Sequence, residues 1–312
     1  VFVQFFVSEI HYADHLLPVE EEMSRRGWAT RFTSRVSELG RGPVVVASYG
    51  DLCRVRGNPE RGPLVLCEHG AGQTYSGAGR DAYADGVDLA GVSLCLVPGP
   101  HAYAKRVRVA GPRTRVAQVG LTKLHDLLSA REGHVKGVKP TIAFGWHWDC
   151  RVCPETRSTW STWMGAVDLL RRSGNWNVVG HGHPREWFRL LTAYSARGIH
   201  AEPKFDRVMG QADLYCVDNS STAFEALAAG VPVLLLESWS GSETHGLRFG
   251  PESRCMDRCT RPDMLREAVE LVLSDAGALE RQSAVLAHVY APPGGPGRAA
   301  DELETTISNF LP

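Results

Sequence analysis

Leu214-Tyr-Cys-Val-Asp-Asn-Ser-Ser-Thr-Ala-Phe-Glu-Ala-Leu-Ala-Ala-Gly-Val-Pro-Val-Leu-Leu-Leu236 reads as a strand, a helix and a second strand in immediate succession. The apolar run Leu214 to Val217 suits a strand buried on both faces, and it ends at Asp218. Small hydroxyl residues then open a helix over Thr222 to Ala229, Gly230 stops it, and Val231 to Leu236 resumes extended structure. Two buried strands joined by a helix form a parallel pair, so this stretch predicts an α/β fold.

The same alternation extends outward in both directions. Strands are expected at Val1 to Val7, Trp28 to Phe32, Pro43 to Ala47, Leu64 to Cys67, Val92 to Val97 and Val116 to Val119, with a helix at His11 to Arg26. Residues 129–140 are polar and glycine-bearing with no apolar face, and read as a linker. A second series follows: strands at Thr141 to Phe144, Val178 to Val179, Leu214 to Val217 and Val231 to Leu236, and helices at Arg185 to Ala196, Thr222 to Ala229 and Met264 to Ser274. The expected organisation is an N-terminal Rossmann-like domain over 1–128, a second over 141–298 and a C-terminal helix over 299–312, with a ligand cleft between the two domains.

Composition bounds the function. Of 312 residues, 43% are hydrophobic and 22% charged, which fits a globular chain with a large core and excludes disordered and fibrous classes. No apolar run reaches the roughly 18 residues of a membrane span, and Val1 to Val7 lacks a signal peptide's basic lead-in, so a cytoplasmic protein is expected. Eight cysteines are too dilute for a disulfide scaffold. Cys150, Cys153, Cys255 and Cys259 could pair as thiolate ligands, but only the first two have common zinc spacing, and no metal is expected. No Asp-x-Asp motif of the kind used by metal-dependent sugar transferases occurs, and no cofactor is called for beyond a nucleotide-activated co-substrate.

The chemistry of the opening stretch suits a nucleoside diphosphate. Helix-start amides and the hydroxyls of Ser220, Ser221 and Thr222 favour phosphate, while Asp218 or Glu225 can accept from ribose hydroxyls. The alternative is local: Thr222 and Glu225 also have capping-box spacing, in which the same groups satisfy helix amides.

The whole string resembles the donor-binding motif of GT-B glycosyltransferases, in particular the CDP-glycerol glycerophosphotransferase (teichoic acid polymerase) group and its short bacteriophage DNA-glycosyltransferase relatives. Glu68-His-Gly-Ala-Gly-Gln-Thr-Tyr75 is similar to that group's His-Gly motif, and Gly180-His-Gly-His-Pro-Arg185 to its His-Pro motif. Val119-Gly-Leu-Thr-Lys-Leu-His-Asp126 is similar to its Gly-x-Pro-Lys-Leu-Asp segment, with Thr122 in place of the proline and His125 in place of the acid. The resemblance implies a GT-B fold of two Rossmann-like domains, His69 as general base toward an acceptor hydroxyl, and His183 with Arg185 on the donor diphosphate. Imidazole titrates near working pH, and Gly70, Gly72 and Gln73 beside His69 give an acceptor close access.

The acceptor is read from charge. The total of −1 averages a first part, 1–140, at +4 and a second part at −5. From Leu89 to His125 there is no acid, but there are Lys105, Arg106, Arg108, Arg113, Arg115 and Lys123, so a polyanionic acceptor is expected, with the first four as its contacts. The tryptophan-rich stretch 144–163 adds Trp148, Asp149 and Arg157 as acceptor contacts. Because no membrane-contacting segment is evident, the favoured acceptor is a 5-hydroxymethylpyrimidine base in DNA. Alternatives are a teichoic-acid-type glycerophosphotransferase, a UDP-sugar 2-epimerase and a non-catalytic nucleic-acid-binding protein.

Overall fold

The computed structural model describes residues 2–58, 61–70, 89–149, 157–237, 254–291 and 294–310. Gly72, Gln73, Cys150 and Cys153 lie outside them. The chain packs as two units, the first from the described residues up to 70, 89–123 and 287–310, the second from Leu124–Leu286.

The first unit holds a six-stranded parallel sheet: β1 (Val3–Phe6), β2 (Thr30–Thr33), β3 (Val44–Val46), β4 (Leu64–Cys67), β5 (Leu94–Val97) and β6 (Arg115–Gln118), in the order β2-β1-β3-β4-β5-β6. Period-two geometry sends alternate side chains to opposite faces. Val3, Phe5, Val45, Val65, Leu94 and Leu96 share a core with Leu16, Val19 and Met23 of α1 (Ala13–Arg25) and with Ala299, Leu303 and Ile307 of the C-terminal helix Gly295–Ser308. Phe6, Val44, Val46, Leu64, Leu66, Cys95 and Val97 pack the other face against α2 (Tyr49–Arg56) and α3 (Pro100–Val109).

The second unit repeats the architecture with β7 (Thr141–Gly145), β8 (Asn177–Gly180), β9 (His200–Ala201), β10 (Leu214–Val217), β11 (Val233–Leu236) and β12 (Asp257–Cys259), in the order β12-β11-β10-β7-β8-β9, all parallel. Its helices include α4 (Leu124–Arg131), α5 (Trp160–Arg172), α6 (Trp187–Ser195), α7 (Phe205–Gln211) and α8 (Thr222–Ala228). Trp146 and Trp163, two of the tryptophans expected in a binding loop, are buried in its core. Gly145 and Gly180 end adjacent strands under tyrosine rings: a Cβ at Gly145 would overlap the Tyr215 hydroxyl, and one at Gly180 would overlap the Tyr194 ring.

Two boundaries differ from the sequence reading. The chain enters the second unit at Leu124, because α4 packs on α7 and Arg131 donates to the carbonyls of Met209 and Ala212 at 2.9 and 2.6 Å. The expected linker is therefore helical as far as Arg131, and His134 binds the Gly210 carbonyl and Asp213 beyond it. The chain leaves the second unit after Leu286, and the C-terminal helix joins α1 of the first. Arg26 fixes that junction by pairing with Glu22, Asp301 and Glu304.

Candidate functional site

Each sheet has one point where strand order reverses, and there the loops leaving the carboxyl ends diverge and expose a crevice. In the first unit that point is between β1 and β3, and in the second between β7 and β10. The sequence-selected histidines and acids cluster near these two points.

His69 follows β4 directly. Its Nδ1 lies 2.6 Å from the carbonyl oxygen of Ala47, at the end of β3. A carbonyl only accepts, so Nδ1 carries the hydrogen and the neutral ring's basic lone pair sits on Nε2. The rings of Tyr12 and His15, whose segment follows β1, stand edge-on to His69 with centroids 4.9 and 5.6 Å away. Gly70, half-buried, continues the chain.

The expected basic acceptor face divides. Arg106 is 1% exposed and makes a two-point ion pair with Glu68, at 3.0 and 2.5 Å, so it is a core element and unavailable to a polyanion. Arg115 pairs with Glu302 of the C-terminal helix at 2.5 Å. Arg108 and Arg113 are exposed and Lys105 is half-buried. A stretch without acids in sequence has thus drawn its acids from other segments.

In the second unit Asp218 ends β10 and is fully buried. Its Oδ1 accepts from the His147 amide at 2.7 Å, and its Oδ2 from Ser158 Oγ at 3.0 Å and the Thr159 amide at 2.9 Å. Asp218 thereby ties the loop after β7 to the start of α5. Glu225, one turn into α8, is 2% exposed.

No capping box forms. Ser221 is the N-cap and makes no side-chain cap bond, while Thr222 Oγ1 lies 2.9 Å from Tyr215 Oη and 2.8 Å from Ser220 Oγ. The three residues, all half-buried, form a hydroxyl-lined turn at the strand end.

His183 caps the short turn Pro184–Glu186, its Nδ1 accepting from the Arg185 amide at 3.1 Å. Its neutral ring therefore carries the hydrogen on Nε2, the opposite tautomer to His69. Trp148 and His147 both have ring centroids 6.0 Å from that of His183, and the Arg185 guanidinium lies 4.5 Å above the Trp148 ring. Trp148 therefore lies beside His183 and Arg185 in its own unit. Asp149 and Arg157 pair with each other at 3.3 Å, so their charges offset. Cys255 and Cys259 donate to the carbonyls of Gln282 and Arg261.

The sequence reading passed over His15 and gave His147 no role. Neither has a distinctive local pattern, because each acquires its neighbours from a distant strand end.

No family model matches the sequence, and no curated protein matches it. Solved structures do match in fold. The wall teichoic acid polymerase TagF superposes with a TM-score of 0.66 at 12% identity, over 99% of this chain and 88% of the other. A putative UDP-N-acetylglucosamine 2-epimerase from Listeria monocytogenes gives 0.57 at 15% identity, over 99% and 96%. The Methanocaldococcus jannaschii UDP-GlcNAc 2-epimerase, in complex with UDP-GlcNAc and UDP, gives 0.61 at 11% identity, over 99% and 100%. At these identities the likeness establishes the fold: the chain has the two-domain, Rossmann-like GT-B architecture.

Proposed function

We propose that the chain transfers a group from a nucleoside-diphosphate donor to an acceptor hydroxyl, with His69 as base and His183 on the leaving diphosphate. The observation that supports this most directly is the opposite tautomers of the two histidines, set by Ala47 O and the Arg185 amide. In the step, His69 Nε2 takes the hydroxyl proton as the acceptor oxygen bonds to the donor carbon. The bond from that carbon to the diphosphate breaks, and the charge left on the diphosphate is met by His183 Nε2–H, Arg185 and the Ser220–Thr222 turn.

For the acceptor, the proposal retains a polyanion, with a 5-hydroxymethylpyrimidine in DNA as the favoured form. Exposed Arg108 and Arg113 are what support it, since Arg106 and Arg115 are paired internally. The 2-epimerase reading draws support from the two epimerase structures of like fold.

One set of incubations separates these readings. CDP-glycerol and UDP-sugars are supplied with hydroxymethylcytosine-containing duplex, with a polyol-phosphate acceptor, or with no acceptor, and products are read by mass spectrometry. A mass gain on the DNA nucleoside supports the favoured acceptor. A gain on the polyol alone reassigns it, and isomerised UDP-sugar without acceptor replaces transfer by epimerisation. His69→Ala should abolish transfer with donor binding retained; unchanged turnover removes His69 as base.

A further inference from the structure

Ser48-Tyr-Gly-Asp51, at the start of α2, has the spacing at which a hydroxyl and an acid cap a helix start reciprocally. Half of that exchange forms: Ser48 Oγ accepts from the Asp51 amide at 3.0 Å. The other half is diverted. The Asp51 carboxylate reaches to a different segment, where its two oxygens accept from the Ser8 amide at 3.3 and 3.4 Å. Asp51 is fully buried, and a carboxylate is buried at a cost that hydrogen bonds and a favourable field must offset. The first turn of α2 supplies that field.

Ser8 follows β1 and Ser48 follows β3, so Asp51 spans the strand-order reversal of the first sheet. Each end of the span leads to His69. On one side, the Ala47 carbonyl that accepts from His69 Nδ1 belongs to the same planar peptide unit as the Ser48 amide. Ser48 is held through its hydroxyl by the Asp51 amide and through its carbonyl by the Leu52 amide at 2.9 Å, and this grip sets where the Ala47 carbonyl points. On the other side, Ser8 leads into a turn, closed by the Tyr12 amide on the Glu9 carbonyl at 3.0 Å, and then into α1. That segment carries Tyr12 and His15, the two rings that stand edge-on to His69 at 4.9 and 5.6 Å.

We propose that Asp51 is a positioning residue for His69: its amide secures the peptide that receives the imidazole hydrogen, and its carboxylate secures the segment whose rings flank the imidazole. It acts through Ser48 and Ser8. A base that must meet an acceptor hydroxyl in line gains from a ring fixed in both tautomer and orientation. That benefit to turnover rests on the proposed transfer reaction, whereas the control of the ring does not.

The test uses the intact chain without donor, its histidines labelled with nitrogen-15. Long-range proton–nitrogen correlations report which nitrogen of neutral His69 carries the hydrogen, and NOEs report the approach of the Tyr12 ring. The parent should show a protonated Nδ1, a bare Nε2 and strong Tyr12–His69 NOEs. Ser48→Ala should move the His69 nitrogens toward the averaged signals of a free imidazole. Asp51→Ala should weaken the NOEs, and Asp51→Asn, which keeps an oxygen for the Ser8 amide, should restore them. Asp51→Leu fills the same space without an acceptor and takes the place of Asp51→Ala if that variant unfolds. Arg26→Ala, which loosens the same unit at the end of α1, is the stability control and should leave the His69 signals unchanged.

In turnover, Ser48→Ala and Asp51→Ala should each lower kcat about 10- to 100-fold with donor affinity within about twofold of the parent, and Asp51→Asn should recover most of the loss. Parental Tyr12–His69 NOEs in folded Asp51→Ala or Asp51→Leu, or parental His69 nitrogen signals in Ser48→Ala, would overturn the assignment. Altered His69 signals in variants of a chain that transfers nothing from any donor refute the proposed reaction alone. Transfer at the parental rate by Asp51→Ala or Asp51→Leu refutes the positioning role and leaves the reaction standing.

Discussion

Asp218 provides the sharpest test of how the second unit builds its site. Removing its carboxylate by Asp218→Ala leaves the His147 and Thr159 amides and the Ser158 hydroxyl without an acceptor that now stands at 2.7, 2.9 and 3.0 Å. A hydrogen bond to a charged group contributes about 1.5–3 kcal/mol, and three sharing one carboxylate are not additive, so a loss of about 3–5 kcal/mol is expected. Asp218→Asn keeps one acceptor oxygen but turns an NH2 toward a donor, and should cost about 2–3 kcal/mol. Urea unfolding followed by tryptophan fluorescence reads this unit well, because seven of the eight tryptophans lie beyond residue 140. Donor binding should weaken in step with stability, since His147 and the start of α5 lose their common anchor. If Asp218→Asn unfolds at the parental urea midpoint while donor binding collapses, the carboxylate contacts the donor itself and the anchoring role is wrong.

Three further expectations follow from other parts of the molecule. Arg106→Ala should destabilise the first unit by about 3–5 kcal/mol in denaturant titration, because it strands the buried Glu68 carboxylate, whereas Arg108→Ala and Arg113→Ala should stay within about 0.5 kcal/mol. The Cys67 thiol is pushed up to about 12 by burial and then by Glu68, and burial also raises Cys95, so at pH 8 a thiol reagent should label exposed Cys53 and reach these two only on unfolding. Glu22 is held at about 2 by hydrogen bonds from Arg25 and Arg26. A depressed carboxylate contributes stability above its unfolded value that is lost as pH falls through the folded one, so the Arg26 junction with the C-terminal helix should loosen between about pH 4.5 and 2. Thermal melts across that window should show a smaller pH dependence in Arg26→Ala, and high salt should shrink the difference further.

Much of the fold was legible because its signals are local. Apolar runs such as Leu64–Cys67 and Leu214–Val217 match observed strands residue for residue, since a strand buried on both faces must be continuously apolar. α3 carries no apolar stripe to betray it, because Lys105, Arg106 and Arg108 crowd its second half and only Ala102 and Arg106 are buried. α5 escaped because its tryptophans read as a binding loop, although Trp163 is core. Motif and order single out His69 and His183 as candidates but not their tautomers, which are set by a backbone carbonyl just past another strand and by a turn amide.

By itself the sequence determined the α/β class and the alternation of strands and helices, and it singled out two candidate histidines and the hydroxyl-rich turn before α8. Periodicity and strand-end motifs require only neighbours along the chain. Tertiary structure decided which charges are available and which are spent: Arg106 on Glu68, Arg115 on Glu302, and Asp218 on the amides of His147 and Thr159. It also decided that His11, His15, His69 and Lys123 lie near one another. A side chain's partner depends on the order in which strands assemble into a sheet, and strand order is a long-range property that no single stretch of sequence encodes.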